Sequence, residues 1–249
     1  MIHIVPIKIS AAIKPGDDLG AIIVEAVAAN GEQILDGDIL LVAQKIVSKS
    51  EGRVIDLRRI RPSKKANILA REHGKDPRLA ELILRESTNI LKARSGIIVS
   101  ETKHGFVCAN AGVDQSNTED GESAVLLPLD PDLSASRLRK TLTKKTRAKV
   151  AVLITDTFGR PFRIGQTNVA IGVAGIKPIR SYIGEQDMYG RKLRVTEIAV
   201  ADELASAAEL AMGKSERVPV VIVRGYEFEN SESASIKQLI RSKENDLFR

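Results

Sequence analysis

The segment VAVLITDT, residues 150–157, carries the strongest structural signal in the sequence. Its five consecutive apolar residues show no polar alternation, and such a run predicts a strand buried on both faces. We place this strand at Lys149–Thr155. Asp156 then stands at the carboxyl end of the strand, a position where a carboxylate can hold Mg²⁺ or Mn²⁺ against a phosphate. A strand-end turn explains the same residue without a ligand, so Asp156 is a candidate metal ligand.

Strands and helices follow each other irregularly on both sides of this segment. The patterns predict further strands at His3–Ile9, Ile39–Ala43, Gly96–Ser100, Gly105–Ala109, Leu126–Leu129 and Val218–Val223. They predict helices at Leu19–Ala29 after an Asp17 or Asp18 cap, from Ser63 to His73, from Pro77 through Ile90, from Ser134 to about Lys145, and at Val195–Met212. Because no regular βαβ rhythm is present, we predict a mixed α/β (α+β) fold rather than a doubly wound sheet. We expect one domain over residues 1–249, with two intertwined subdomains as the alternative.

Several standard nucleotide and redox motifs are missing from the sequence. Gly213-Lys214-Ser215 resembles the end of a P-loop, but the first glycine of that motif would fall at Ala208. Gly172 and Gly175 do not complete a dinucleotide fingerprint. Cys108 is the only cysteine, which excludes an intrachain disulfide and a cysteine-built zinc site. The fold is therefore expected to be neither Rossmann nor P-loop.

Composition and charge narrow the class of partner. The chain has 249 residues and a formal net charge of +6 at pH 7, with a sequence pI of about 9.4, which favours an anionic partner. Aromatic residues make up 3% and tryptophan is absent, so the stacking platforms of single-strand nucleic-acid binders are scarce. No apolar run approaches the roughly 18 residues of a membrane span, and the N-terminus has no signal-peptide pattern. We expect a cytoplasmic protein that binds neither membrane nor nucleic acid.

Two further segments offer groups that suit phosphates and carboxylates. Phe158–Asn168 contains Arg160 and Arg163 beside two glycines. Arginine forks bind phosphate or carboxylate oxygens in pairs, and we expect these two to bind the anionic acceptor or an amino acid substrate. A flexible basic surface loop is the alternative. After the predicted strand Ile39–Ala43, Gln44, Lys45 and Lys49 could neutralise a polyphosphate, although solvated lysines explain the same spacing.

A third segment, Asn110–Asp120, is acidic and rich in turn residues. Asp114 and Asn117 could present oxygens to one point, and Asx turns account for them equally well. Taken together, a divalent cation, a triphosphate clamp and an arginine-rich acceptor segment are the parts of a phosphoryl-transfer site. A basic module that binds nucleic acid is the alternative from another class, supported by the pI alone.

These segments resemble the coenzyme F420-0:L-glutamate ligase family, also called F420-0 gamma-glutamyl ligase. The matching stretches run in order from the N-terminus to about Gly225: residues 15–19 (PGDDL), 47–53 (VSKSEGR), 110–117 (NAGVDQSN), 127–132 (LPLDPD), 154–161 (ITDTFGRP), 187–191 (DMYGR) and 200–203 (VADE). An ordered set that covers nearly the whole chain is more specific than any single motif.

The resemblance implies an activity and an assembly. It implies a GTP-dependent ligase that joins L-glutamate to F420-0 through a gamma-glutamyl-type amide bond, with a second addition possible. We expect an acyl-phosphate intermediate. The implied fold is two-lobed and forms an intertwined homodimer, with the nucleotide in a groove near the interface. A related amide-forming ligase that acts on a different phosphorylated acceptor is the alternative.

The resemblance also implies ligand roles for individual residues. Asp114 and Asp156 would hold one Mg²⁺ or Mn²⁺ ion and Thr157 would contact a second, with K⁺ as an additional candidate. GTP would face Ser10, Ala11, Ala12, Ile13, Gln44, Lys45, Lys49, Asn117, Met212, Gly213, Lys214, Ser215, Glu216, Arg217 and Val218. Lys214 stands where the family pattern has an acidic or amide metal contact, which leaves Glu216 as the substitute metal ligand.

Overall fold

The computed structural model describes residues 1–94, 96–115 and 121–246. Its strands are β1 His3–Ile7, β2 Ile39–Ala43, β3 Val54–Asp56, β4 Ser87–Arg94, β5 Ile97–Thr102, β6 Val107–Ala109, β7 Ser123–Val125, β8 Ala151–Arg160, β9 Arg163–Ala174, β10 Arg180–Ser181, β11 Glu197–Ile198 and β12 Val220–Arg224. Its helices are α1 Leu19–Ala29, α2 Gln44–Ser50, α3 Lys64–His73, α4 Pro77–Glu86, α5 Pro131–Thr146 and α6 Val200–Met212. The predicted mixed α/β class is confirmed.

A five-stranded mixed sheet forms the centre of the molecule. Its strand order is β1-β12-β2-β8-β9, and only the β2–β8 pair is parallel. The register pairs Val42 with Ile154 and Ala43 with Thr155. Because the two strands run in the same direction in this register, the residues that follow β2 lie next to Asp156 and Thr157 of β8.

The clearest sequence signal is confirmed, and the strand is longer than predicted. β8 begins at Ala151, and residues 151–154 are fully buried. It continues past Asp156 to Arg160 and turns back into β9. The alternative of a flexible surface loop at Phe158–Asn168 is therefore wrong, because these residues form a β-hairpin whose turn lies at Pro161-Phe162. The glycines and the proline of this segment suggested a loop. The antiparallel pairing of β8 with β9 instead makes it a hairpin.

β9 is an edge strand, and two aspartates satisfy part of its free backbone. Asp202 of α6 accepts a hydrogen bond from the Ala170 amide at 2.9 Å. Asp132 of α5 accepts one from the Val173 amide at 2.9 Å. These hydrogen bonds occupy two amides with which another strand could otherwise pair, and they attach both helices to the sheet.

Most helix starts follow the predicted caps. The Asp18 side chain accepts a hydrogen bond from the Ala21 amide at 2.9 Å, and Ser63 caps α3 through the Ala66 amide at 3.2 Å. The helix predicted from Pro77 through Ile90 ends at Glu86, where Ser87 begins β4. There the Ser87 hydroxyl donates to the Ile83 carbonyl at 2.6 Å, which satisfies a helix-terminal carbonyl.

Three other predicted boundaries are wrong. The basic helix begins at Pro131 after an Asp130 cap, so Ser134 lies inside it. The strand predicted at Leu126–Leu129 is extended chain after β7, without strand pairing. The helix predicted from Val195 begins at Val200. The apolar pattern extended beyond β7 and beyond the start of α6, whereas α5 begins earlier than predicted because Asp130 caps it.

The described residues form two main hydrophobic clusters. The larger one fills the central sheet and its helices. The smaller one contains Leu57, Leu82, Ile83, Ile98, Ala111, Val113, Ala124 and Leu126. A ring contact between Phe106, which directly precedes β6, and Phe158 of β8, with centroids 6.1 Å apart, belongs to the larger cluster. Among the described residues, no helix combines the length and hydrophobicity needed to cross a bilayer.

We expect the carboxylate of Glu81 to make the stability of the smaller hydrophobic cluster depend on pH. Its carboxylate accepts from the Ser63 amide at 2.9 Å and from Arg85 Nε at 2.8 Å. The hydrogen bonds from Ser63, followed by the one from Arg85, lower the pKa of Glu81 to about 2. A lowered native pKa stabilises the fold above the unfolded value of 4.5, and this stability is lost as pH falls towards 2.

We expect Glu81→Gln to lower the free energy of unfolding by about 2 kcal/mol at pH 7. Urea denaturation between pH 7 and pH 2.5 measures the effect, and the difference from the wild type should shrink below pH 4.5. Glu72→Gln on exposed α3 surface is the control. A difference that stays constant with pH would contradict the assignment.

Candidate functional site

The candidate site lies at the end of β2, beside the part of β8 that follows its buried residues. Gln44 and Lys45 open α2 directly after β2, and Asp156 and Thr157 follow the buried part of β8. Consecutive strand residues point to opposite faces, so Asp156 and Thr157 face different sides of the hairpin. The site therefore has an Asp156 side and a Thr157 side.

Asp114 reaches the Asp156 side from a bridge to β7. Its backbone exchanges hydrogen bonds with Val125, at 3.0 and 2.7 Å. The chain arrives there through Asn110 and Ala111, which both have left-handed backbones with φ near +55°. Such a conformation is costly for alanine, and it redirects the chain towards the sheet. Lys45 Nζ lies 2.8 Å from Asp114 Oδ2.

Asp156 sits in an environment that disfavours its charge. Burial and, to a smaller extent, the negative charge of Asp114 raise its pKa to about 6. Hydrogen bonding from the Thr157 amide and the charges of Lys45 and Lys214 act in the opposite direction. Asp114 and Asp156 are thus close enough to influence each other electrostatically, and their sharing of one cation stays a prediction.

The two carboxylates suit a single hard cation. A bound Mg²⁺ keeps several waters and takes only one or two protein carboxylates when substrate phosphates complete its shell. Within residues 1–94, 96–115 and 121–246, no group of three or more His, Cys, Asp or Glu side chains is arranged to hold a metal ion. The metal roles of Asp114 and Asp156 therefore stay predictions.

The Thr157 side contains a connected group of polar side chains. The Thr157 hydroxyl donates to Asn168 Oδ1 at 2.7 Å and accepts from Lys214 Nζ at 3.0 Å. Lys214 Nζ also lies 2.8 Å from Glu209 Oε1. Asn168 is buried on β9, where it pairs with Thr157 in register. Among the described residues, the buried Thr155 hydroxyl on the same face has no hydrogen-bond partner.

Lys214 belongs to the segment 212–218. The side chains of this segment are not arranged as expected for ligands of a metal ion. Gly213 ends α6 with φ of +58°, and its amide donates to the Glu209 carbonyl. The Glu216 carboxylate turns back onto its own loop and accepts from the Ser215 amide at 2.8 Å and its hydroxyl at 3.1 Å. These hydrogen bonds lower the pKa of Glu216. A metal role for Glu216 stays a prediction.

The predicted nucleotide segments come together around this site. The Ile9 amide donates to the Arg217 carbonyl at 3.1 Å, which brings Ser10–Ile13 next to residues 212–218. The Gly16 amide donates to the Ser50 carbonyl at 2.8 Å, which ties the same connection to the end of α2. Gln44 is buried, and its amide donates to Ser48 Oγ and the Leu126 carbonyl, so it also holds α2 in place.

The remaining predicted site residues are Arg160, Arg163, Lys49 and Asn117. Arg160 donates to the Ile164 carbonyl at 2.9 Å and pairs with Arg163 across the hairpin end. It lies four strand positions from Asp156, a spacing of roughly 13 Å. Lys49 lies in the last turn of α2. Asn117 falls outside the described residues. The roles of these residues remain predictions.

Sequence reasoning missed Asn168 and the hydroxyl of Thr155. Both depend on the pairing of β8 with β9, because Asn168 reaches Thr157 only across the hairpin. The alternation of apolar residues at Val169, Ile171 and Val173 was the one available signal for that strand.

The chain matches a known protein family over most of its length. The model of the family described as F420-0:gamma-glutamyl ligase matches residues 7–225. A coenzyme F420:L-glutamate ligase from Methanothermobacter thermautotrophicus is 52% identical over 236 residues, covering 94% of this chain and 93% of the relative. The ligases of the same description from Methanocaldococcus jannaschii and Methanopyrus kandleri are 49% and 44% identical, covering 87% and 100% of this chain and 86% and 98% of the relatives.

Proposed function

Because this chain belongs to the F420-0:gamma-glutamyl ligase family, we propose that it joins L-glutamate to F420-0 through an amide bond, with GTP as the energy source. The meeting of Asp114, Lys45 and Asp156 beside the predicted nucleotide segments carries the proposal. The names of the relatives support glutamate ligation to a coenzyme F420 species. The ammonium and carboxylate groups of the site suit a triphosphate with a divalent ion, and this supports the use of GTP.

The chemistry requires activation of a carboxylate, because oxide is too poor a leaving group for amide formation. The terminal carboxylate oxygen of F420-0 attacks the γ-phosphorus of GTP, the bond to the β-phosphate oxygen breaks, and GDP leaves with that electron pair. The glutamate amine then attacks the acyl carbon of the acyl phosphate. Phosphate departs with the electrons of the carbon–oxygen bond, and the nitrogen loses a proton. A second round would extend the product by another glutamate.

The residues of the site contribute positioning and charge to this sequence. Asp114 and Asp156 would hold a divalent ion, which when bound withdraws charge from the phosphate oxygens. Lys45, anchored by Asp114, and Lys49 would direct ammonium groups at the triphosphate. Arg160 and Arg163 would bind an anionic substrate at the hairpin end. No step needs a nucleophilic cysteine or histidine, which suits the burial of Cys108.

Product mass tests the function directly. The purified chain is incubated with GTP, Mn²⁺, L-glutamate and F420-0, and the deazaflavin products are weighed by mass spectrometry. We expect products heavier by one or more glutamyl residues, which are lost when GTP is omitted. An ATP arm measures nucleotide preference, and arms with Mg²⁺, Mn²⁺ or added K⁺ measure the ion requirement. GTP turnover that leaves F420-0 unmodified would instead favour a ligase with another acceptor.

We also propose a homodimer in the cytoplasm, where GTP and glutamate are available. At the tip of the β8–β9 hairpin, Phe162 is 89% exposed and Ile164 is 100% exposed. Two large apolar side chains at a projecting tip favour an interface between copies. The intertwining of the two copies stays a prediction.

We expect Phe162→Ser with Ile164→Ser to shift the protein from twice the 27.1 kDa chain mass towards one chain mass. Light scattering after size-exclusion chromatography measures this shift. Leu210→Ser, which removes an equally exposed apolar side chain from α6, is the matched control and should leave the mass unchanged. A double variant that stays dimeric would exclude the hairpin tip from the interface.

A further inference from the structure

Lys214 places a positive charge on the Thr157 side of the site. It reaches back from the segment after α6, so that its ammonium lies 3.0 Å from Thr157 Oγ1 and 2.8 Å from Glu209 Oε1. The Lys214 side chain is 65% exposed, so its ammonium is accessible to a ligand. Its charge also acts on the Asp156 carboxyl.

The Thr157 hydroxyl is poorly placed to bind a metal ion in this arrangement. Its proton goes to Asn168 Oδ1 at 2.7 Å, and one of its lone pairs accepts from Lys214. A metal ion bound to this oxygen would stand next to an ammonium, and like charges at such a distance repel strongly. The nearby Glu216 carboxylate, the other expected ligand, is bonded to Ser215.

We propose that the Lys214 ammonium takes the place of a second metal ion at Thr157, so that this chain works with one divalent ion. The proposal rests on the proposed function, since it assigns a charge within that same site. An ammonium carries three protons, of which Glu209 and Thr157 accept two. Among the described residues no third acceptor contacts it, which leaves one proton for a substrate phosphate oxygen.

A purely structural role is the alternative for Lys214. A cation just after a helix neutralises the negative end of the helix dipole, and the Glu209 ion pair would serve the same purpose. Such a role predicts that replacing Lys214 changes stability and leaves the number of bound metal ions unchanged. Counting bound ions therefore separates the two roles.

Equilibrium dialysis with Mn²⁺ and the non-hydrolysable analogue guanosine 5′-(β,γ-imido)triphosphate gives this count. Manganese and nucleotide are both measured per chain by elemental analysis and absorbance. We expect one Mn²⁺ per bound nucleotide in the wild type and a six-line electron paramagnetic resonance spectrum from isolated ions. In Lys214→Glu the ammonium is replaced by a carboxylate beside Glu209 and Thr157, and we expect two Mn²⁺ ions with a spin-coupled spectrum. Lys144→Glu, the same change on the exposed surface of α5, should bind one.

Activity gives a second readout. Lys214→Met removes the charge and keeps an unbranched side chain, and we expect turnover to fall about 100-fold without rescue by extra Mn²⁺. Lys214→Glu should recover activity only as Mn²⁺ rises well above the wild-type requirement. Circular dichroism confirms that each variant is folded, and Lys214→Gln replaces any variant that is not.

The outcomes distinguish this inference from the proposed function. Two Mn²⁺ ions bound to the wild type would overturn the role of Lys214 and leave the ligase intact. One ion in both the wild type and Lys214→Glu, with unchanged turnover in Lys214→Met, would also overturn it. Absence of glutamyl products in the mass assay would overturn the ligase function itself, whatever the ion count.

Discussion

Asp156→Asn should lower the turnover of glutamyl product by about 10²- to 10³-fold while the protein stays folded. The substitution keeps the size of the side chain and removes the charge that would hold a divalent ion beside the triphosphate. Steady-state product formation by mass spectrometry, at saturating Mn²⁺, measures the loss. Glu25→Gln on exposed α1 surface removes the same charge elsewhere and should retain wild-type turnover.

The same substitution should not destabilise the metal-free protein. Burial raises the pKa of Asp156 to about 6 from its ordinary 3.8, so its ionised form opposes folding. This opposition is complete above pH 6 and disappears as pH falls to 3.8. We therefore expect the variant to be more stable by about 1 to 2 kcal/mol at pH 7, with the difference vanishing near pH 4. Wild-type turnover in Asp156→Asn would refute the metal role.

Gly172→Ala should cause the largest loss of stability among single methyl additions in the sheet. Gly172 lies on β9 against the first residue of α5, and a Cβ there would stand 2.4 Å from the Pro131 carbonyl oxygen and 2.6 Å from its carbon. Those contacts are backbone atoms, which cannot move aside by changing rotamer. The start of α5 would have to shift, and with it the bond between Asp132 and the Val173 amide.

We expect Gly172→Ala to lower the free energy of unfolding by about 3 kcal/mol, measured by urea denaturation. Gly159→Ala is a matched control in the same hairpin, because no atom lies within 4 Å of its added Cβ. Its free energy should be unchanged or slightly higher, since alanine restricts the unfolded chain. Equal stability of Gly172→Ala and the wild type would show that α5 can move away without cost.

The sequence predicted elements best where one local signal was sufficient. The buried strand before Asp156, the Asp18 and Ser63 caps and the helix end at His73 all depend on neighbours within a few positions, and all are confirmed. The family resemblance is confirmed for the same reason, because ordered motifs are a property of the chain itself. Elements that depend on distant pairing were predicted poorly, as β4 and β9 show.

The same distinction between local signals and distant contacts holds for the candidate site. The residue types that suit a cation and a triphosphate, with Asp114, Asp156 and Lys45 among them, were determined by sequence, since their chemistry does not depend on the fold. Only the tertiary structure decided that Lys45 pairs with Asp114, that Lys214 reaches Thr157, and that Glu216 bonds to its own loop. These contacts join side chains brought together by strand pairing and by the end of α6, and no local pattern encodes a distance set by packing across the molecule.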